Sequence, residues 1–441
     1  MARTKESMYV AIDVGTTKIA TLVAKVSSEG TMEVVAVGRS TSEGMRKGMV
    51  VSPEDLTLAV RRSVHEAEEM LGHSIPPAHV GITGGHLTCI NAVASIDIAT
   101  EKHKKHRSGK KVRAFSQDDV DRLLSSTAPE TSLRQRVVHV IPRTFQVDGL
   151  DGIRNPVGMS GGQLGGESHV VIGDAATMDN LARVTRAAGV KVHGFVLEHL
   201  ASAEAVLTAE EREIGTVLVD IGGGTSDLAI YKGGAAWFTT AIPVAGQHFT
   251  SDISIGLGLP PTVAEATKVR YGSAFVDGIN AREMIDIEDI SGESSRSVSK
   301  LQLAQLLHDR ATELARLILY KIGMSGITRV PPGGIVLTGG CSQLGGLESI
   351  MADYGRCIVR TASPSSALGL PPELENSSYS TAVGLLLWAI HQRHAGAVAR
   401  DVSVNQPVMD RLRGWLNKLG RRDHDRSPVV GIPNVGGAGP S

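Results

Sequence analysis

The stretch VLVDIGGGTSDLAIY, Val217 to Tyr231, constrains the fold of this chain more than any other part of it. An apolar run reaches an aspartate, glycines and a polar turn follow, and a second apolar run leaves. Such a pattern makes two strands round a tight turn, and the glycines, lacking a Cβ, let the backbone approach a ligand closely. A related stretch, YVAIDVGTTKIATLVAKV, occupies Tyr9 to Val26. Aligning Asp13 with Asp220 also aligns Gly15 with Gly222, and Thr16 and Thr17 stand close to where Thr225 stands in the second copy. Either turn alone reads equally well as a plain glycine hairpin with a polar aspartate. Two of them, each opening its own half, point to an internal duplication with a ligand held between the halves.

The chemistry of the turns narrows the ligand. Consecutive backbone N–H groups in a tight turn form a concave anion site. An aspartate at the strand end would repel a phosphate, so its natural task is to hold Mg²⁺, or water around it, against the phosphate oxygens. A third glycine pair, in GIVLTGGCSQLGGL from Gly334 to Leu347, reads as strand, double glycine and helix start, with backbone able to lie against a nucleobase or ribose. Other nucleotide folds fit less well. The chain has no G-x-x-x-x-G-K-[ST], the signature of a P-loop. DIGGGTSD lacks the G-x-G-x-x-G spacing and leads into a strand instead of the helix of a dinucleotide site.

The remaining pattern is α/β. Strands are predicted at Tyr9–Ile12, Ile19–Val26, Glu33–Val37, Val80–Thr83, Val137–Ile141, His169–Ile172 and Gly334–Gly340. Helices are predicted over Ser52–Leu71, with Ser52 as N-cap and Pro53 in the first turn, over Met178–Ala188 and over Tyr379–Gln392. The region from Val263 to Ile322 reads as helix and loop, and the serine-rich Ser291–Ser299 as loop. At 441 residues two lobes are the default. Three scattered cysteines, Cys89, Cys341 and Cys357, form no CxxC pair, which suits a reducing cytoplasm. The N-terminal residues show no signal-peptide core, and no apolar run is long enough for a membrane span.

The aspartate-glycine turns at 13–18 and 220–227, with Gly339 and Gly340, resemble the phosphate 1, phosphate 2 and adenosine motifs of the actin, heat-shock-70 and sugar-kinase superfamily. Within it, GMRKGMVVSPEDL (Gly44–Leu56), HVIPRTFQVDGLDGIRNPVGMSG (His139–Gly161), PPTVAEATKVRYG (Pro260–Gly272) and YSTAVGLLL (Tyr379–Leu387) resemble the bacterial cell-division FtsA family, over roughly residues 8 to 390. The resemblance implies a two-lobed actin-like ATPase fold with duplicated sheet-and-helix subdomains and an insert called 1C. The implied divisions are subdomain 1A at 8–85, 168–205 and 366–394, the 1C insert at 86–167, subdomain 2A at 206–245 and 318–365, and subdomain 2B at 246–317. It implies Mg²⁺ and ATP as cofactors. Asp13, Gly15, Thr16, Thr17 and Lys18 would cradle phosphate from one side, and Asp220, Gly222, Gly223, Gly224 and Thr225 from the other. Asp220 and Asp13 would stand near the metal, through water, and Gly339 and Gly340 by the adenosine. Glu265 and Lys268, on one helix face, would reach the ribose and base, or else form a plain surface ion pair. Glu198 is the candidate to position an attacking water, in a protein with at most weak ATPase activity. The implied function is to polymerise, to tether the FtsZ ring to the cytoplasmic face of the bacterial cell membrane at the division site, and to recruit later division proteins through 1C. A pilus-assembly-type or kinase-like ATPase of the same superfamily is the alternative.

Beyond a linker at 395–406, the segment PVMDRLRGWLNKLGRR at 407–422 carries a second signal. On a helix, Val408, Met409, Leu412, Trp415, Leu416 and Leu419 fall within an arc of about 120°. Arg411, Lys418 and Arg422 flank that arc. A basic amphipathic helix with tryptophan on its apolar face suits the interface of an anionic membrane, and the resemblance points the same way. The Gly/Pro-rich tail at 423–441 is expected to be disordered. The basic run Glu101–Arg113 reads either as a solvated loop or as a contact for an acidic partner or anionic lipid. It lacks interleaved aromatics, and net charge is only -1, so no nucleic acid is expected.

Overall fold

The computed structural model describes residues 7–28, 30–98, 113–288 and 295–394. The amphipathic segment, the tail and most of the basic run lie outside the described residues. The chain opens on three antiparallel strands, β1 (Ser7–Val14), β2 (Lys18–Val26) and β3 (Met32–Thr41). β1 and β2 are buried on both faces at the turn end, as their continuous apolar runs require. Helix α1 (Pro53–Leu71) follows and stops at Gly72, whose φ of 74° is left-handed. Leu56, Ala59, Val60, Val64 and Ala67 are its buried stripe, each large side chain contributing roughly 1.5–3 kcal/mol. Ser52 precedes the helix but does not cap its N–H groups, because its hydroxyl donates to Asp55 instead, at 2.6 Å. Strand β4 (Ala78–Ile82) then pairs parallel with β1.

An inserted unit interrupts this lobe. It consists of β5 (Leu87–Asp97), α2 (Gln117–Thr127), β6 (Gln135–Val147), β7 (Leu150–Ile153) and β8 (Gln163–Asp174), with sheet order β7-β6-β8-β5. Its own small core joins Ile98, Phe115, Val120, Leu123, Leu124, Phe145, Val147 and Leu164. The lobe resumes with α3 (Ala175–Ala187), β9 (Val192–Leu197) and α4 (Glu198–Val206).

The second lobe repeats the first. β10 (Thr216–Ile221), β11 (Ser226–Lys232) and β12 (Ala235–Ile242) are antiparallel. Helices α5 (Gly246–Leu257) and α6 (Pro261–Tyr271), the hairpin β13 (Met284–Glu288) and β14 (Ser295–Ser299), and α7 (Lys300–Met324) form its outer part. β15 (Ile335–Thr338), α8 (Leu347–Gly355) and β16 (Val359–Thr361) complete it, and α9 (Ser380–His394) returns to the first lobe. The two central sheets run β3-β2-β1-β4-β9 and β12-β11-β10-β15-β16, the same order with parallel pairs in the same places. The duplication inferred from two turns thus extends over ten strands.

Two local expectations are corrected. Residues 295–299 of the serine-rich stretch form a strand that pairs with β13, with Val298 buried, Ser297 exposed and Ser299 partly buried. After Gly339 comes a short 3-10 turn, Gly340–Gln343, and the helix starts only at Leu347.

The insert also touches the far lobe. Arg143 pairs with Glu167 and lies 3.2 Å from the ring centre of Trp237 on β12, which Lys232 faces at 4.7 Å. Thr239 on β12 takes Cys89 and His169 of the insert, at 2.9 and 2.8 Å.

Helices α4 and α9 cross at Gly384, where a Cβ would strike the backbone of Ala201. Gly384→Ala is therefore expected to cost about 1–3 kcal/mol through forced separation, read as a lower urea midpoint at unchanged slope. An unaltered midpoint would refute the close crossing.

Candidate functional site

Both turns of the duplication have the same closure. The Gly15 N–H donates to the Lys18 carbonyl at 3.1 Å, and the Gly222 N–H to the Thr225 carbonyl at 3.0 Å. Register then places Asp13 opposite Ala20 and Asp220 opposite Asp227. The turns come tip to tip across a cleft. A Cβ on Gly223 would lie 2.5 Å from Thr17 Cγ2, and one on Gly224 2.5 Å from Thr16 Oγ1. A side chain at either position would have to displace a threonine of the opposing turn.

The cleft holds about 1080 Å³, counting its mouth. Asp13, Gly15, Thr16, Thr17, Lys18, Glu198, Asp220, Gly222, Gly223, Gly224, Thr225, Glu265, Lys268, Gly339 and Gly340 all line it. Their parts differ. Gly339, at a φ of 86°, packs directly beneath Asp220, so that a Cβ would collide with its carboxylate, whereas a Cβ on Gly340 would meet only Ser378 Cβ, at an ordinary 3.5 Å. Lys268 bonds Glu265 at 2.7 Å, Thr250 at 2.8 Å and the Gly246 carbonyl at 3.1 Å. The Gly246 and Gln247 N–H groups in turn donate to the Gly222 and Gly223 carbonyls. The Glu265–Lys268 pair therefore braces the second turn through α5, which a plain surface pair would not do.

Several site groups escaped the sequence reading. Asp227 lies beside Asp220 and accepts from Thr83 of the first lobe and from Thr225 at 3.0 Å. Its signal was available, since a hairpin closed between Gly222 and Thr225 puts residue 227 opposite residue 220. Ser202 and Thr381, the latter at 2.9 Å, both donate to the Asp220 carboxylate from α4 and α9. Ser378 accepts from the Lys18 ammonium at 2.9 Å, and that ammonium also sits 3.2 Å from the Tyr379 ring centre. Nothing local in the sequence announces these partners.

Four carboxyl groups, Asp13, Glu198, Asp220 and Asp227, are thus enclosed with Lys18 facing them. Burial raises Asp13 to about 7, the Lys18 ammonium opposing this and the Asp220 carboxylate adding to it. Asp227 also rises to about 7, through burial against the Thr83 hydrogen bond, with Asp220 adding to the rise. Glu198 is raised well above the carboxylate range by burial and then by Asp13, Asp227 and Asp220. Burial raises Asp220 too, against the hydrogen bonds of Ser202 and Thr381. Lys18 falls to about 8 on burial, although Asp13 works against it. Among the described residues, no three His, Cys, Asp or Glu side chains converge closely enough to hold a metal ion by themselves. A divalent cation here would need water or phosphate oxygens to complete its shell.

This crowding has a cost in the free chain. Between pH 4 and 7 the folded Asp13 keeps a proton that the unfolded chain has released, so its contribution to stability fades as pH rises through 7. Buried His79, His139 and His169, each lowered to about 4 chiefly by burial, act oppositely, and their contribution is lost as pH falls through 4. Asp13→Asn should therefore stabilise the metal-free chain more at pH 8 than at pH 5, by roughly 2 kcal/mol, in urea unfolding with chelator present. An equal effect at both values would exclude charge crowding at Asp13.

Comparison with known proteins agrees with this arrangement. The family model described as cell division protein FtsA matches residues 217–384, and that described as the SHS2 domain inserted in FTSA matches residues 84–172. The cell division protein FtsA of Pseudomonas aeruginosa is 35% identical over 418 residues, covering 93% of this chain and 97% of the relative. That of Escherichia coli K12 is 34% identical over 427 residues, covering 94% and 99%. Among solved structures, the PilM-PilN type IV pilus biogenesis complex superposes with a TM-score of 0.60 at 16% identity, covering 87% of this chain and 98% of that one. MreB5 of Spiroplasma citri bound to ADP gives 0.51 at 15% identity, covering 88% and 99%. These two share the actin-like ATPase fold. With two lobes of equal strand order, facing aspartate-glycine turns and an inserted SHS2 unit, the chain belongs to the FtsA family of cell division proteins.

Proposed function

We propose that this chain binds Mg-ATP between its lobes and, in that state, assembles into filaments that tether the FtsZ ring to the cytoplasmic face of the membrane. The observation that carries the nucleotide reading is the pair of facing turns, Asp13–Lys18 and Asp220–Thr225, each with its aspartate at the strand end. Free turn N–H groups would face phosphate oxygens, with the Lys18 ammonium within reach. The enclosed carboxylates fit a divalent cation, because a positive charge would offset the burial, and the lesser repulsion among them, that raises their hold on protons. Asp13 and Asp220 would hold that ion, through water, and its chemistry would be to neutralise phosphate charge. Asp227 and Glu198 stand close enough to Asp220 to share this field, and Glu198 remains the candidate to orient water in a slow hydrolysis. Gly339 and Gly340, which line the same cleft, would lie by the nucleoside.

Membrane tethering rests on the sequence of residues 407–422, with its apolar arc through Leu412 and Trp415 flanked by arginine and lysine. Among the described residues no helix is long and apolar enough to cross a membrane, so peripheral attachment is the mode that this segment would supply. Recruitment of later division proteins falls to the insert, and FtsZ contact to the outer part of the second lobe, both on family grounds.

Removing a carboxylate that anchors the metal should separate nucleotide from magnesium. Asp220→Ala is expected to weaken ATP binding at least tenfold with Mg²⁺ present, by calorimetry; unchanged affinity would remove Asp220 from the site. For the membrane, Leu412→Glu with Trp415→Glu should abolish co-sedimentation with anionic vesicles that the full chain supports. Equal binding by the two chains would refute the anchor.

A further inference from the structure

Glu198 is the first residue of α4, and its placement depends on where that helix begins. Leu197, the N-cap residue, ends strand β9 and offers no side-chain cap. β9 is the edge strand of the first lobe's sheet, with β4 on one side only. The Leu197 N–H, fully buried, is taken up by a side chain from the insert: it donates to His139 Nε2 at 3.1 Å. Accepting that bond requires Nε2 to be unprotonated, so the ring is neutral. His139 is itself 2% exposed, and the Trp388 ring of α9 stands 5.4 Å away at 59°, which limits how the imidazole can turn. The next residue after Leu197 reaches into the cleft with Asp13, Asp220 and Asp227.

We propose that His139 is a positioning residue for Glu198, through which the inserted unit sets a carboxylate in the nucleotide cleft. An amide left buried without a partner costs about 1–3 kcal/mol, and the chain would recover it by shifting the start of α4. Glu198, one residue on, would move with it. The same unit holds the second lobe through Thr239 and Trp237. Whatever displaces the insert is thereby felt at Glu198 and at the opposite lobe together. This rests on the reading of the cleft as a Mg-ATP site.

The test uses the full chain and ATP titrated by calorimetry with Mg²⁺ and, separately, with chelator. His139→Leu and His139→Asn, whose amide oxygen stops short of the Leu197 N–H, should each cut the magnesium-linked gain in affinity about tenfold. Affinity in chelator should stay as it was. His139→Gln, which can present an acceptor where Nε2 was, should restore the gain. Glu198, lining the same cleft, would share the water through which Asp13 and Asp220 hold the ion, so Glu198→Gln should also cut the gain, and adding His139→Leu to that variant should cost nothing further. Should His139→Leu fail to fold, the Asn and Gln variants carry the comparison. A full magnesium-linked gain in His139→Asn overturns the inference and leaves the cleft standing. So does an equal loss with and without Mg²⁺, the mark of a merely structural role. An unmodified chain that binds no ATP overturns the cleft reading and this inference together.

Discussion

The cleft hangs on two backbone hydrogen bonds, Gly15 N–H to the Lys18 carbonyl and Gly222 N–H to the Thr225 carbonyl. Each closes a turn tightly enough that its strand-end aspartate and its glycines share one small region. The strands behind them are buried on both faces, so neither turn can drift without moving a sheet. The approach of Thr16 and Thr17 to Gly224 and Gly223 then sets how near the lobes can come. Helix α4, the insert and α9 are arranged around that contact, and each sends a polar group to it or to a residue beside it.

A structure organised for compactness alone would not enclose four carboxyl groups. Here two of them, both on the second lobe, are kept in place by donors from the first: Thr83 reaches Asp227 across the cleft, and Ser202 and Thr381 hold Asp220. These hydroxyls fix the geometry of the acids without neutralising them. The raised carboxyl values follow, since burial outweighs the hydrogen bonds, and Glu198 and Asp227 also feel neighbouring acids. Carboxyl groups raised in this way cluster at functional sites, and the fold around them must supply the excess stability.

How much of this was legible in the sequence depends on whether the cause was local. The turns, their strands and α1 were legible, because aspartate, glycine spacing and apolar periodicity act within a few residues. Asp227 was half legible, since it follows from hairpin register once the turn is recognised. The strand at Ser295–Ser299 was missed because one valine among serines is a faint alternation. Ser202, Thr381 and His139 were silent, for their roles come from packing between segments far apart in the chain: 161 residues separate Thr381 from Asp220, and 58 separate His139 from Leu197. Such partners carry no local spacing to read. The Glu265–Lys268 pair shows the middle case, its i,i+3 spacing visible but its bracing of the second turn visible only in three dimensions.

The three tryptophans of the chain stand in three different parts of it. Trp237 has a guanidinium from the insert and an ammonium from its own lobe close to its ring, Trp388 lies beside the imidazole that meets Leu197, and Trp415 is in the C-terminal segment outside the described residues. Indole emission responds to nearby cations and to the polarity around the ring. The chain therefore carries its own optical labels, one at the seam between insert and second lobe, one behind the helix that bears Glu198, and one in the segment proposed to meet lipid. Retaining one tryptophan at a time would let each region be watched separately in the working protein, without attaching a dye.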